Sequence, residues 1–247
     1  MKKFYYDLHI HSCLSPCGDD EMTPNNIAGM GNVAGLDIMA LTDHNTCLNC
    51  PAFFEAARKN GIIPIAGAEV TTAEEIHLLC LFPSLENALG FSAEIGKNRV
   101  PVKNRADIFG NQFIMNGQDE ITGSEENFLS NALRLSLDEV AALVPEYSGV
   151  CYPAHIDRES NGIVAILGTF PSLPHFTAAE FNDAGNIPEY NAKYAELKGK
   201  RIMVSSDAHY LWQINGRDNY IELSGETERE ISQSLIETLR QDERTLT

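Results

Sequence analysis

The residues of this chain best able to do chemistry together are its histidines. Six of the seven, His9, His11, His44, His77, His155 and His209, fall at or just beyond the ends of strand-like apolar runs, which is not where core histidines gather. Each has acidic or hydroxyl company: Asp7-Leu-His9-Ile-His11, Thr42-Asp43-His44, Gly67-Ala-Glu69, Ile76-His77, Pro153-Ala-His155-Ile-Asp157 and Ser206-Asp207-Ala-His209. In an extended segment positions i and i+2 point the same way, so His9 and His11 can chelate one cation, and Asp207 and His209 repeat the spacing. Neutral imidazoles with carboxylates suit Zn²⁺, Mn²⁺ or Fe²⁺ rather than an oxygen-only Mg²⁺ or Ca²⁺ cage. A carboxylate such as Glu69 can bridge two cations, one on each oxygen. Taken singly, Glu69 reads as a cap, Asp43 as a turn residue, Asp207 as a helix N-cap and His77 as a hydrogen-bonded structural histidine; the set changes the reading. His175 has no acidic partner nearby and reads as structural or adjacent to substrate.

The elements that must position these residues alternate between strand-length apolar runs and amphipathic helical segments, the mark of an α/β domain. Candidate strands run from Phe4 to His9, Asp37 to Thr42, Ile62 to Val70, Ile76 to Phe82, Gly149 to His155, Ala178 to Asn182 and Arg201 to Ser206. Seven strands suggest a small barrel, and in a parallel barrel the carboxyl ends converge on one face, turning scatter along the chain into a cluster in space. Helix starts are legible at Thr23-Pro24, Ser136-Leu-Asp-Glu139 and Thr227-Glu-Arg-Glu230. The stretch Ser84 to Tyr147 exceeds what a crossover needs and carries Lys97, Arg99, Lys103 and Arg105. It reads as an insertion at about 84–147 over one barrel mouth, or as a solvated helical excursion, within a single domain spanning 1–247.

In this order the motifs resemble those of the polymerase and histidinol phosphatase (PHP) family of metal-dependent phosphoesterases, from about Met1 to Tyr210. The resemblance implies a distorted seven-stranded (β/α) barrel with two or three divalent ions, Zn, Mn or Fe, at the strand carboxyl ends. It assigns His9, His11, Glu69 and Asp207 to a first ion and Glu69, His77 and His155 to a second, with Glu69 as the bridge. A third ion would take His44, His209 and a residue of the loop after His11, where Cys17 is the first candidate and Asp19 the second. Hydrolysis would proceed through a metal-activated hydroxide. Asp7 and Asp43 would be carboxylates that orient imidazoles, ligands or proton carriers, and Arg158 would contact a substrate phosphate, with Arg217 a weaker candidate.

Composition narrows the partners. With 18 Lys plus Arg against 35 Asp plus Glu the formal charge is −17, which excludes a strongly basic nucleic-acid clamp. A phosphomonoester, a nucleotide or a short oligonucleotide end is the expected substrate, with long nucleic acid and membrane not expected. No apolar leader or 18-residue apolar span is present, so a cytoplasmic location is expected. The six cysteines then read as reduced thiols or metal ligands. Cys13-x₃-Cys17 and Cys47-x₂-Cys50 leave three readings open: Cys17 at the catalytic metals, all four as a separate Cys₄ zinc or iron–sulfur site, or four structural thiols. Cys80 and Cys151 read as small core residues. A rival function on the same barrel is a non-catalytic metal-binding or cysteine redox-sensing module. An amidohydrolase shares His-x-His but would want a bridging lysine.

Overall fold

The computed structural model describes residues 1–242. Its strands are β1 (Lys2–Asp7), β2 (Ile38–Leu41), β3 (Ile63–Thr71), β4 (His77–Phe82), β5 (Phe113–Met115), β6 (Ile121–Ser124), β7 (Val150–Pro153), β8 (Ala178–Phe181), β9 (Arg201–Val204) and β10 (Tyr220–Leu223). The helices are α1 (Pro24–Ala34), α2 (Cys50–Lys59), α3 (Leu85–Gly96), α4 (Ala106–Phe109), α5 (Leu137–Leu143), α6 (Ile163–Leu167), α7 (Ile187–Lys193) and α8 (Glu228–Leu239). All three expected helix starts are found. Thr23 caps α1 with Pro24 in its first turn, and Ser136 and Thr227 form reciprocal capping boxes with Glu139 and Glu230.

The seven expected strands are all present, but their ladders do not close into the expected distorted seven-stranded (β/α) barrel. Six strands pair in the order β10-β1-β2-β3-β4-β7, while β8 and β9 form a separate parallel pair. Two physical causes are visible. Strand β10, not expected from the sequence, pairs antiparallel with Lys2 to Tyr5 and so occupies the edge of β1 that β9 would need. Strand β4 also runs antiparallel to both β3 and β7, because only residues 72–76 separate it from β3, whereas a parallel return needs about a dozen residues. The ends are joined instead by isolated bonds: Ile156 N donates to Glu180 O at 2.8 Å, and His11 N to Ala208 O at 2.9 Å.

Alternation along the strands builds two apolar layers. Met39, Leu41, Ala66, Ala68, Val70, Leu78, Cys80 and Phe82 face a cluster with α1, α2 and α3. Ile38, Ala40, Ile65, Leu79, Leu81 and Tyr152 face a second, which Ile231, Leu235, Ile236 and Leu239 of α8 help to fill. By period-two alternation Gly67 and Glu69 share the face of Ile65, so the carboxylate emerges on the inner face about 13 Å along β3 from that apolar packing. The 84–147 segment carries the β5–β6 hairpin, which the sequence did not suggest. It packs on the loops that follow β1 and β2: Cys13 O accepts from Phe113 N at 3.0 Å, and Asn45 donates from Nδ2 to Leu129 O at 2.7 Å.

Gly67 is a tight point of β3. A Cβ there would lie 2.6 Å from Cys80 O, 2.8 Å from Leu81 Cδ2 and 3.0 Å from Thr42 Cγ2. Gly67→Ala is therefore expected to lower stability by about 1–3 kcal/mol, read as a lower urea midpoint at unchanged m-value.

Candidate metal centre

The site is built where the strand ladders end. Beyond β1 the chain makes a single parallel bridge, Ile10 to Ala208, which buries both bridge residues and leaves His9 and His11 on one side opposite Asp207 and His209 on the other. A second isolated parallel bridge sets His44 beside Glu69. His77 is the first residue of β4, not the end of a strand. It reaches the same mouth because the β3–β4 turn lies there. His155 and Asp207 follow β7 and β9 with φ of 27° and 52°, the left-handed region that costs a non-glycine residue of order 1–3 kcal/mol and is tolerated where surrounding packing over-determines it.

Four side chains converge first. His9 Nε2 lies 3.1 Å from His11 Nε2, 3.4 Å from Glu69 Oε1 and 3.3 Å from Asp207 Oδ1, and His11 Nε2 lies 3.3 Å from Glu69 Oε2 and 3.1 Å from Asp207 Oδ1. A cation with bonds of about 2.0–2.1 Å to four tetrahedral ligands separates them by roughly 3.3 Å. The outer nitrogens show which atoms are protonated. His9 donates from Nδ1 to Glu180 Oε1 at 2.7 Å. His11 donates from Nδ1 to Ser15 Oγ at 2.9 Å, and the Ser15 hydroxyl donates in turn to Asp43 Oδ1 at 2.7 Å. In the neutral rings both Nε2 atoms are thus left as lone pairs facing carboxylate oxygens, and Asp207 Oδ1 has no hydrogen-bond donor despite its burial. This donor set fits a divalent cation and is otherwise a costly arrangement.

Glu69 lies at the centre of five imidazoles. Its Oε1 meets His77 Nδ1 at 2.7 Å and His155 Nε2 at 2.9 Å besides His9, and its Oε2 meets His44 Nδ1 at 3.0 Å besides His11. His77 Nδ1 and His155 Nε2 are 3.3 Å apart, so these two with Glu69 could hold a second ion. A third group could form from His11, His44 and His209, adding His11 to the expected pair. His209 donates from Nδ1 to Asp207 O at 2.8 Å and turns Nε2 towards Cys17 Sγ at 3.1 Å. Asp19, the second candidate, uses its carboxylate on Glu21 N.

The electrostatics favour positive charge. Burial works against charging His9, His11 and His44, yet all three sit above the ordinary histidine range: Glu180, Asp207 and Glu69 raise His9, Asp207 and Glu69 raise His11, and Cys17 and Glu69 raise His44. Burial would raise Glu69 and Asp207, but the imidazoles, led by His77 for Glu69 and His9 for Asp207, hold both well below the usual carboxylate range. His77 falls to about 4, chiefly through burial. Cys17 presents an exposed edge, and although desolvation opposes it, His44 and His209 keep its thiol well below the usual value.

Other expected residues lie differently. Asp7 touches no imidazole: its buried carboxylate accepts from Ser206 N at 3.1 Å and Asn215 N at 3.0 Å, because the strand end must be tied to the 206–215 loop. Asp43 is not turned to His44 but accepts from Ser12 N, Ser12 Oγ and Ser15 Oγ, and so orients His11 through Ser15. Arg158 is at the mouth, with one guanidinium nitrogen 2.6 Å from Asp207 Oδ2 and 44% of its side chain exposed. Arg217 stacks on Tyr5 at 3.9 Å. His175 meets Asp242 away from the cluster. No group of cysteines converges as a metal site among the described residues. Cys13, Cys47 and Cys50 are buried, Cys47 Sγ donating to Gly67 O at 3.1 Å, and burial pushes Cys13 up to about 12.

Glu180 was missed in the sequence. Its signal was a lone carboxylate inside the apolar run Ala178-Ala-Glu180-Phe, which burial makes costly without a partner. Glu180→Gln removes the anionic acceptor of His9 Nδ1–H and is expected to weaken Zn²⁺ or Mn²⁺ binding by about 10–100-fold, measured by competition with a chromogenic chelator.

Comparison with known proteins bears on the same residues. No curated protein matches the chain. Among solved structures it is similar to a lesion-specific endonuclease, PfuEndoQ, from Pyrococcus furiosus (TM-score 0.66, 19% identity, 96% of this chain and 56% of that one). It is similarly close to Endonuclease Q in complex with a 27-mer duplex carrying an abasic lesion at the active site (TM-score 0.65, 20% identity, 94% and 56%). A metal-dependent phosphoesterase from Bifidobacterium adolescentis aligns with TM-score 0.60 at 19% identity over 86% and 90%. The chain thus spans little more than half the length of the endonucleases. Residues 7–168 match the PHP domain, and a stretch holding His9, His11, His44, Glu69, His77 and His155 within it makes this chain a member of the PHP domain family.

Proposed function

We propose that the chain is a metal-dependent phosphoesterase that hydrolyses a phosphomonoester, a nucleotide or a short oligonucleotide end. The observation that carries this is the convergence of bare imidazole and carboxylate lone pairs at 3.1–3.4 Å around His9, His11, Glu69 and Asp207. His9, His11, Glu69 and Asp207 would hold one ion, Glu69, His77 and His155 a second, and His44 and His209 a third with Cys17 or His11. Such ions supply a water of lowered pKa and neutralise charge on phosphate oxygens.

The protein's own part is positioning. Glu180 and the Ser15–Asp43 pair hold His9 and His11 with Nε2 inward, so the cluster is organised before substrate arrives. Arg158, half exposed beside Asp207, offers its remaining N–H groups to a phosphate at the mouth. The bridging side chain is Glu69, which favours this reading over an amidohydrolase with a bridging lysine. A four-cysteine redox sensor is disfavoured, since Cys13, Cys47 and Cys50 are buried and only Cys17 of that set is exposed. The chain acts in this reading as one unit, with the 84–147 segment an insertion over the loops that follow β1 and β2.

A short substrate is favoured over a long duplex because four of the five cations of that insertion are paired with acids. Lys97, Arg99, Lys103 and Arg105 each pair with an acid, Glu94, Glu125, Glu126 and Asp107 in turn, which lessens the positive charge this segment offers a polyanion. No helix among the described residues is long and apolar enough to cross a membrane. Two assays test the proposal. With added Mn²⁺ or Zn²⁺, hydrolysis of p-nitrophenyl phosphate should fall at least about 100-fold in Glu69→Ala and His155→Ala, more than for loss of an outer partner. Equal rates in all three proteins would discard the enzyme reading. An abasic 27-mer duplex should remain intact under conditions that cleave the small ester, and its nicking would move the substrate to DNA.

A further inference from the structure

We propose that Tyr210 and Trp212 form a stacking rim for the base of a nucleotide whose phosphate lies at the metal-ligand cluster. This rests on the phosphoesterase reading and adds the substrate class. Most of the cluster's side chains are buried, and its most accessible imidazole is His209, whose side chain is 19% exposed, beside the exposed Cys17. Among these imidazoles solvent reaches His209 most, and Tyr210 and Trp212 follow it along the chain. Tyr210 is 43% exposed and Trp212 77%, and their rings stack with centroids 6.0 Å apart and planes at 24°.

Single exposed aromatics are ordinary, but this pair is mounted on a pinned loop. Gln213 Oε1 accepts from His209 N at 2.8 Å and from Tyr210 N at 3.1 Å, and Asp19 N donates to His209 O at 2.9 Å. The imidazole and the rings thus belong to one hydrogen-bonded loop, and Trp212 Cα lies within about 11 Å of His209 Cα by chain length alone. A platform that adjoins a phosphate-binding cluster calls for a ligand with a planar ring at one end and a phosphate at the other. Stacking also adds affinity without requiring basic side chains, which suits a chain of net charge −17.

Trp212 is the chain's single tryptophan, so fluorescence excited selectively at tryptophan, beyond tyrosine absorption, reports on it alone. Adenosine, which lacks phosphate, should quench this emission saturably, and ribose 5-phosphate, which lacks the base, should not. In Mn²⁺-loaded protein, the ratio of kcat/KM for adenosine 5′-monophosphate to that for ribose 5-phosphate should fall about 5- to 150-fold in Trp212→Ala and be largely restored in Trp212→Phe. Absence of quenching, or an unchanged ratio with both esters hydrolysed, overturns the rim and leaves the phosphoesterase reading intact. Quenching by adenosine with neither of these esters nor p-nitrophenyl phosphate hydrolysed would support the rim as a base-binding surface while removing the phosphoesterase reading.

Discussion

The structure depends on one electrostatic constraint: lone pairs of buried imidazoles and carboxylates are aimed at one another. Five histidines surround Glu69, and His9 and His11 present bare Nε2 atoms to each other and to Asp207. Like-polarity atoms in a water-poor interior are tolerated only if positive charge is placed among them, as protons or as cations. The upward shifts of His9, His11 and His44 express the proton solution. The spacing of the inner atoms, nearer to a ligand polyhedron than to paired hydrogen bonds, expresses the cation solution.

The backbone accommodates this constraint by giving up regular pairing where the ligands emerge. Ladders end after Asp7, Pro153 and Val204, and the following residues are held by single bridges, by bonds such as Ile156 N to Glu180 O, and by positive φ at His155 and Asp207. A continuous ladder would point successive side chains to alternate faces and would deny Asp207 and His155 their approach to Glu69. The strain is local, and the elements behind it are apolar and close packed, with α8 filling the inner layer away from the mouth. A rigid interior carrying an irregular rim is the arrangement expected of a site that must be held before its ligand arrives.

How much of this could be read in the sequence follows from which interactions are local. The His-x-His and Asp-x-His pairs were legible because i and i+2 share a face in any extended segment, whatever the partner strand. Glu69 was legible as a carboxylate at the end of an apolar run. The direction of β4 was available but unused: five residues between Val70-Thr71 and His77 permit a hairpin and forbid a parallel crossover. β10 is four residues long and half exposed, too short for its alternation to register, and its pairing with β1 spans over 200 residues of sequence. Asp7 and Glu180 exchanged expected parts for the same reason. Proximity in sequence placed Asp7 beside His9, whereas the imidazole's actual partner is 171 residues away.

Charge distribution connects the fold to the choice of ligand. A surplus of acids spread over the surface repels a polyanion over roughly a Debye length, about 8 Å at physiological salt, while a small ester meets mainly the local field of the mouth. There the field is set by the cations the cluster can hold and by Arg158, and the nearest basic run is spent on ion pairs with Glu94, Glu125, Glu126 and Asp107. Affinity beyond the phosphate must then come from contacts that carry no charge. In the proposed reading, the same acidity that disfavours a long backbone would give stacking at Tyr210 and Trp212, on the loop that carries His209, a larger share of recognition.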